Sequence, residues 1–221
     1  MKSNLLHICF VLDESSSMYG SVSDVIGGFR KLIDEQKQVD SGECIVSVYR
    51  FANQVTRDFL GKPVAEVEDL RYNPYGCTAI NDGIGTAIDE VGKWLSDMDE
   101  SERPSKNLIV IMTDGEENSS KEYTLARVRE MIKHQEEVYN WSFAYMGTDL
   151  DSLNDAADLG IRFKSVSSRD NVVNNYGHIS TYATCYRSAT SEADVLSAST
   201  SLNDALEADT VAYQNSTGKS L

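Results

Sequence analysis

Two rhythms of apolar and polar positions run through this chain. Continuous apolar runs, "LLHICFVL" at 5–12 and "NLIVIM" at 107–112, alternate with stretches in which apolar residues recur every three or four positions. The first rhythm suits a strand covered on both faces, and the second a helix lying on a sheet. Val22, Val25, Ile26, Phe29, Leu32 and Ile33 share one face of a helix over 22–38. Ile80, Ile84, Ala87, Ile88, Val91 and Leu95 do the same over 78–95, and Leu125, Val128, Met131, Ile132 and Val138 mark a third helix. "ECIVSVYRFANQVTRDFL" reads as two strands turning tightly at Asn53 and Gln54, an antiparallel hairpin at a sheet edge. A long loop then runs through "YNPYGC". "WSFAYMG" predicts another strand, "DSLNDAADLG" a short helix stopped by Gly160, and "IRF" a last short strand. Val172, Tyr176, Ile179, Ala183 and Tyr186 fit a further helix. The expected fold class is α/β: a doubly wound, Rossmann-like, mostly parallel sheet with one antiparallel edge strand and helices on both faces.

Beyond Ala189 the pattern fades into Ser, Thr and Ala, and Lys219 is the sole basic residue. Leu196, Leu202, Leu206 and Tyr213 are spread there through a Ser, Thr and Ala background. Residues 1–188 are therefore expected to form the domain and 189–221 an appendage. That appendage is expected to be conditionally helical, capped at Ser201, and ordered only against a second copy or a partner.

Composition narrows the function. With 35 acidic and 20 basic residues the formal charge is −15, which repels phosphate backbones and anionic lipid, so neither nucleic acid nor membrane is expected as a partner. The apolar runs are far shorter than the roughly 20 residues a bilayer helix needs, and "MKSN" leads into a strand without a leader pattern. A cytoplasmic protein is the expectation. Cys9, Cys44, Cys77 and Cys185 lack the close spacing of a zinc site and read as reduced structural thiols. His7, His134 and His178 are scattered and read as partnered structural side chains.

The chemistry gathers where strands run out. "DESSSM" follows the first strand, and in an extended segment Asp13, Ser15 and Ser17 converge while Glu14 and Ser16 face elsewhere. A carboxylate and two hydroxyls in one small volume suit magnesium or manganese; the bland alternative is a serine-rich turn capping the next helix. "MTDGEENSS" places Asp114 at the end of the second apolar strand, and "GCTAIND" places Thr78 just ahead of a helix. Each could be an ordinary turn or cap. In a doubly wound sheet, however, ligands collect outside the carboxyl ends of strands where strand order reverses.

Together, "DESSSM", the threonine of "GCTAIND" and the aspartate of "MTDGEENSS" resemble the metal-ion-dependent adhesion site of von Willebrand factor type A domains. The likeness covers about residues 4–165, and "TDGEENSS" looks most like intracellular bacterial and phage-encoded members. The resemblance implies a divalent ion, Mg2+ or Mn2+, held directly by Ser15 and Ser17, with Thr78 joining directly or through water. It implies that Asp13 and Asp114 sit close by and orient the shell. It further implies a protein partner that completes the shell with an Asp or Glu, an AAA-type ATPase or another copy of the chain being candidates. A phage assembly component self-associating through the same site is the alternative. A flavodoxin-like flavin binder is less favoured, because Asp13 would repel a phosphate. No catalytic activity is expected: the position of a phosphatase's second acid is taken by Ser15, and the "GIGTAI" glycines lie inside a helix, where they read as close-packing positions.

Overall fold

The computed structural model describes residues 1–148, 151–166 and 172–218. Six strands form one sheet, β1 (Lys2–Asp13), β2 (Glu43–Phe51), β3 (Val55–Pro63), β4 (Pro104–Thr113), β5 (Ser142–Gly147) and β6 (Phe163–Val166), in the order β3-β2-β1-β4-β5-β6. Every pairing is parallel except β2 with β3, so the hairpin expected around Asn53 supplies the antiparallel edge strand. The described residues also form six α-helices: α1 (Val22–Lys37), α2 (Ile80–Asp97), α3 (Leu125–Tyr139), α4 (Asp151–Asp158), α5 (Val172–Ser188) and α6 (Glu192–Thr217).

The apolar runs divide their side chains between two layers, as strand geometry requires. Leu6, Ile8, Phe10 and Leu12 of β1, with Leu108, Val110 and Met112 of β4, pack against α1, α5 and α6. Cys9 and Val11, with Ile109 and Ile111, pack against α2 and α3. Gly83 and Gly85 let α2 lie close: a methyl group would fall 2.7 Å from the Phe51 ring at the first and 2.4 Å from the Tyr123 ring at the second. Gly160, at φ +80°, ends the helix region of α4 in the left-handed conformation, as expected.

Three expectations change. The last strand is not "IRF" but Phe163–Val166; Ile161 is buried in the α2/α3 layer ahead of it. In α3 the buried stripe is Val128, Met131 and Ile132, whereas Leu125 and Val138 stay exposed at the helix ends. The segment expected as an appendage forms α6, a 26-residue helix that packs on α5 and β6, with Ala198, Leu202 and Leu206 in the same core cluster as β1. Its cap is Ser191, not Ser201: the Ser191 hydroxyl accepts from Asp194 N, and the Asp194 carboxylate accepts from Ser191 N. Positions 198, 202 and 206 fall on one helical stripe, so a few leucines suffice where the composition looked too poor. The last three residues, Lys219 among them, lie outside the described residues. Among the described residues no helix is long and apolar enough to cross a membrane.

Candidate metal centre

Strand order reverses between β1 and β4, and the two strands end side by side at Asp13 and Thr113. Asp13 is fully buried and its carboxylate is held at both oxygens: Thr113 Oγ1 donates to Oδ2 at 2.6 Å, and Ser15 N donates to Oδ1 at 2.7 Å. The Tyr72 hydroxyl donates to its backbone carbonyl. Burial pushes the Asp13 carboxyl up to about 6; the Thr113 and Ser15 hydrogen bonds pull it down, and the nearby Asp114 charge pushes it up again. Asp114, the residue after β4, is buried as well.

Ser15 and Ser17 do converge, their Oγ atoms lying 2.9 Å apart. The cause is only partly the expected alternation. Ser15 is extended (φ −70°, ψ 165°), but Ser17 sits in a 3-10 turn, Ser16–Ser21, that folds it back. Ser16 is exposed. Glu14 faces the other way, as expected, with its oxygens 2.7 and 2.6 Å from Arg50 Nη1 and a further bond from Asn73 N.

Thr78 is not the cap of α2; Ala79 holds that position. Thr78 is locked instead to the loop after β4, its N donating to Asn118 Oδ1 at 2.9 Å while Asn118 N donates to its carbonyl at 3.0 Å. A methyl group added at Gly115 would lie 3.2 Å from Thr78 Oγ1 and 3.3 Å from Ser17 Oγ. Hydroxyls from two separate loops therefore border one small space beside the residue that follows Asp114.

Sequence reasoning missed the residues that hold this arrangement. Asp82, in the first turn of α2, accepts from the backbone N–H groups of Lys121, Glu122 and Tyr123 at 2.8–2.9 Å. Glu117 reciprocates, accepting from Asn81 N, Ser119 N and Ser120 N. The two loops are thus interlocked by carboxylates that bind backbone amides. The signal was an acid in the first turn of a helix and another in a Ser/Asn-rich loop, both positions that favour N–H acceptors.

Among the described residues no group of three or more His, Cys, Asp or Glu is arranged to hold a metal. The donor set at this end is different: Asp13 and Asp114 with the hydroxyls of Ser15, Ser17 and Thr78, all hard oxygens. That chemistry fits magnesium or manganese and not a thiophilic metal. Cys77, exposed beside Thr78, donates its backbone N–H to Asn53 Oδ1.

A second polar group lies inside the sheet. His7 Nε2 is 2.8 Å from Ser47 Oγ, and Nδ1 is 3.2 Å from Asn107 Oδ1. Asn107 Oδ1 only accepts, so in the neutral ring Nδ1 carries the proton and Nε2 accepts from Ser47 Oγ, which in turn accepts from Gly61 N. Burial pushes His7 down to about 4, partly offset by the Asn107 bond. His7 and Ser47 have no exposed surface, so the trio ties strands together.

A family model described as von Willebrand factor type A domain matches residues 7–201. A search of curated proteins gives no match. Among solved structures, proximal thread matrix protein 1 from the mussel byssus, with a zinc-occupied MIDAS motif, is 18% identical with a TM-score of 0.58, over 82% of this chain and 46% of that one. Manganese-loaded TRAP protein of Plasmodium vivax is 20% identical with a TM-score of 0.52, over 78% of this chain and 71% of that one. The pilus adhesin SpaC of Lactobacillus rhamnosus GG is 13% identical with a TM-score of 0.62, over 83% of this chain and 30% of that one. The chain spans a little under half the length of the mussel proteins it matches. At these identities the likeness establishes the fold.

Proposed function

The chain belongs to the von Willebrand factor type A family, and from that premise we propose that it is a protein-binding domain whose grip on a partner requires a divalent ion held among Asp13, Ser15, Ser17, Thr78 and Asp114. The observation that carries this reading is the space beside Gly115, bordered by the Ser17 and Thr78 hydroxyls next to the buried, doubly hydrogen-bonded Asp13. Ser15, Ser17 and Thr78 are the direct ligands in this reading, and Asp13 and Asp114 supply the charge that orients them. Magnesium or manganese suits five oxygen donors; the zinc and manganese named for two similar structures belong to those proteins and favour a divalent ion in general. With neutral hydroxyls as the direct ligands, a bound ion supplies an under-compensated positive charge that an external carboxylate can meet. The partner therefore presents an Asp or Glu. At a formal charge of −15, a second copy of this chain is the less favoured occupant. The role is binding, not catalysis.

Calorimetric titration with Mn2+ tests the site. Asp13→Ala, Ser17→Ala and Thr78→Ala are each expected to weaken binding at least tenfold, while Ser16→Ala leaves it unchanged. Equal affinity in all four variants overturns the assignment. Capture of a partner that survives full chelation removes the ion from the mechanism.

A further inference from the structure

Eight large apolar side chains are exposed among the described residues, and two of them, Tyr19 (67%) and Tyr75 (43%), stand on the loops that carry the metal-site hydroxyls. Tyr19 lies in the 3-10 turn two residues after Ser17, and Tyr75 three residues before Thr78. Tyr75 is held in place: its N donates to Glu14 O at 2.7 Å, and the next residue, Gly76, accepts from Ser16 N at 3.2 Å. Gly76 adopts φ +70°, and a Cβ there would fall 2.7 Å from the Asn53 side chain, so the turn that presents the ring calls for glycine. Neither ring makes an aromatic contact or side-chain hydrogen bond among the described residues. Rigid, exposed tyrosines are the side chains that interfaces use as anchors, since they offer a large apolar face at little entropic cost.

The charges around the site are unevenly placed. Glu14, between the two tyrosine loops, is buried and paired with Arg50, which also pairs with Asp58. The loop after β4 carries exposed Glu116, Glu117 and Glu122 against Lys121; Glu117 is taken up by backbone amides, and Glu116 makes no ion pair among the described residues. The rim therefore carries exposed aromatic rings on the loops of Ser17 and Thr78 and exposed carboxylates on the loop after β4.

Building on the metal-dependent reading, we propose that the partner is a foreign protein segment whose metal-binding Asp or Glu is flanked by an apolar residue that packs on Tyr19 and Tyr75 and by a Lys or Arg that faces Glu116. The basic neighbour offsets the repulsion that a bare acidic segment would meet on this surface. The apolar neighbour gives the contact its holding strength, because a single carboxylate–ion contact in water is short-lived without excluded solvent around it.

The test is selection of a random peptide library on the chain in Mn2+, with elution by chelator. Eluted peptides are expected to carry an acid with a Lys or Arg and an apolar residue within three positions. A representative peptide should lose about tenfold in affinity for Tyr19→Ser or Tyr75→Ser, and its basic-residue preference should fade with Glu116→Gln. Mn2+ affinity should stay within twofold in all three variants. Chelator-eluted peptides without such flanks, or insensitive to the tyrosine variants, overturn the inference while leaving the metal reading intact. Failure of the unaltered chain to bind Mn2+ overturns both. Manganese-driven dimerisation by light scattering that the tyrosine variants abolish would make a second copy the occupant and overturn the foreign-partner assignment.

Discussion

The candidate metal end of the sheet and helix α6 are built from much the same residues, serine, threonine, alanine and acids, and put them to opposite uses. Along α6 the hydroxyls are taken up by their own helix: Thr200 donates to Leu196 O, Ser201 to Ser197 O and Thr210 to Leu206 O, each four residues back. At the metal end Ser15 and Ser17 meet each other, and Ser17 and Thr78 border a common space, because an extended residue, a 3-10 turn and an interlocked loop deny them a nearby helical carbonyl. A hydroxyl is thus available to a ligand when local backbone geometry does not claim it first. The acids divide similarly. Asp194 closes a capping box, whereas Asp13 is buried between two donors and beside a second carboxylate.

If that contrast is right, removing α6 should damage folding without touching the metal site directly. Truncation after Ser188 uncovers the core that Leu202 and Leu206 now cover and is expected to lower stability by about 3–6 kcal/mol, at about 1.5–3 kcal/mol per buried leucine, read by urea unfolding. Leu202→Ala alone should cost about 2–5 kcal/mol and Leu196→Ala, 61% exposed, less than about 0.5 kcal/mol. Equal effects from the two leucines would mean that α6 is not docked as described.

The buried His7 group within the sheet gives a pH signature of its own. Its folded pKa is depressed to about 4 while the unfolded value is near 6.5, so the unfolded chain binds the extra proton. Its contribution is intact above about pH 6.5 and is lost as pH falls toward 4, to a limit of about 3 kcal/mol. Unfolding of the unaltered chain and of His7→Asn across that window should show the pH dependence shrinking in the variant; identical slopes would place the proton elsewhere.

At the metal end the ranking reverses. Asp13→Ala should reduce Mn2+ affinity by about a hundredfold, about 2.7 kcal/mol, with unfolding free energy changed less than by Leu202→Ala. Gly115→Ala is the finest probe: its methyl lands in the space that Ser17 and Thr78 border, and titration should show a loss of several-fold with thermal stability nearly constant. An unchanged affinity would move the ion away from that space.

Much of this was legible along the chain. The uninterrupted apolar runs of β1 and β4 identified the central strands, because only doubly covered strands lack polar alternation. The oxygen-rich segments at their ends, with Thr78, named the side chains of the candidate site, since motif residues stay close to the elements that present them. Other features depended on partners distant in sequence. The Thr78–Asn118 lock and the Asp82 and Glu117 amide cradles join segments about forty residues apart. The local pattern marks each acid as an acceptor of backbone N–H groups but does not say which distant segment supplies them. The docking of α6 is not legible from composition, because Ala198, Leu202 and Leu206 cover core only where β6 and α5 provide the surface they meet. Sequence determined which oxygen-bearing side chains stand at the strand ends, and the rhythm of the sheet. Tertiary structure alone decided which hydroxyls share a space and which sparse helix is core, because both depend on what the rest of the fold brings within reach.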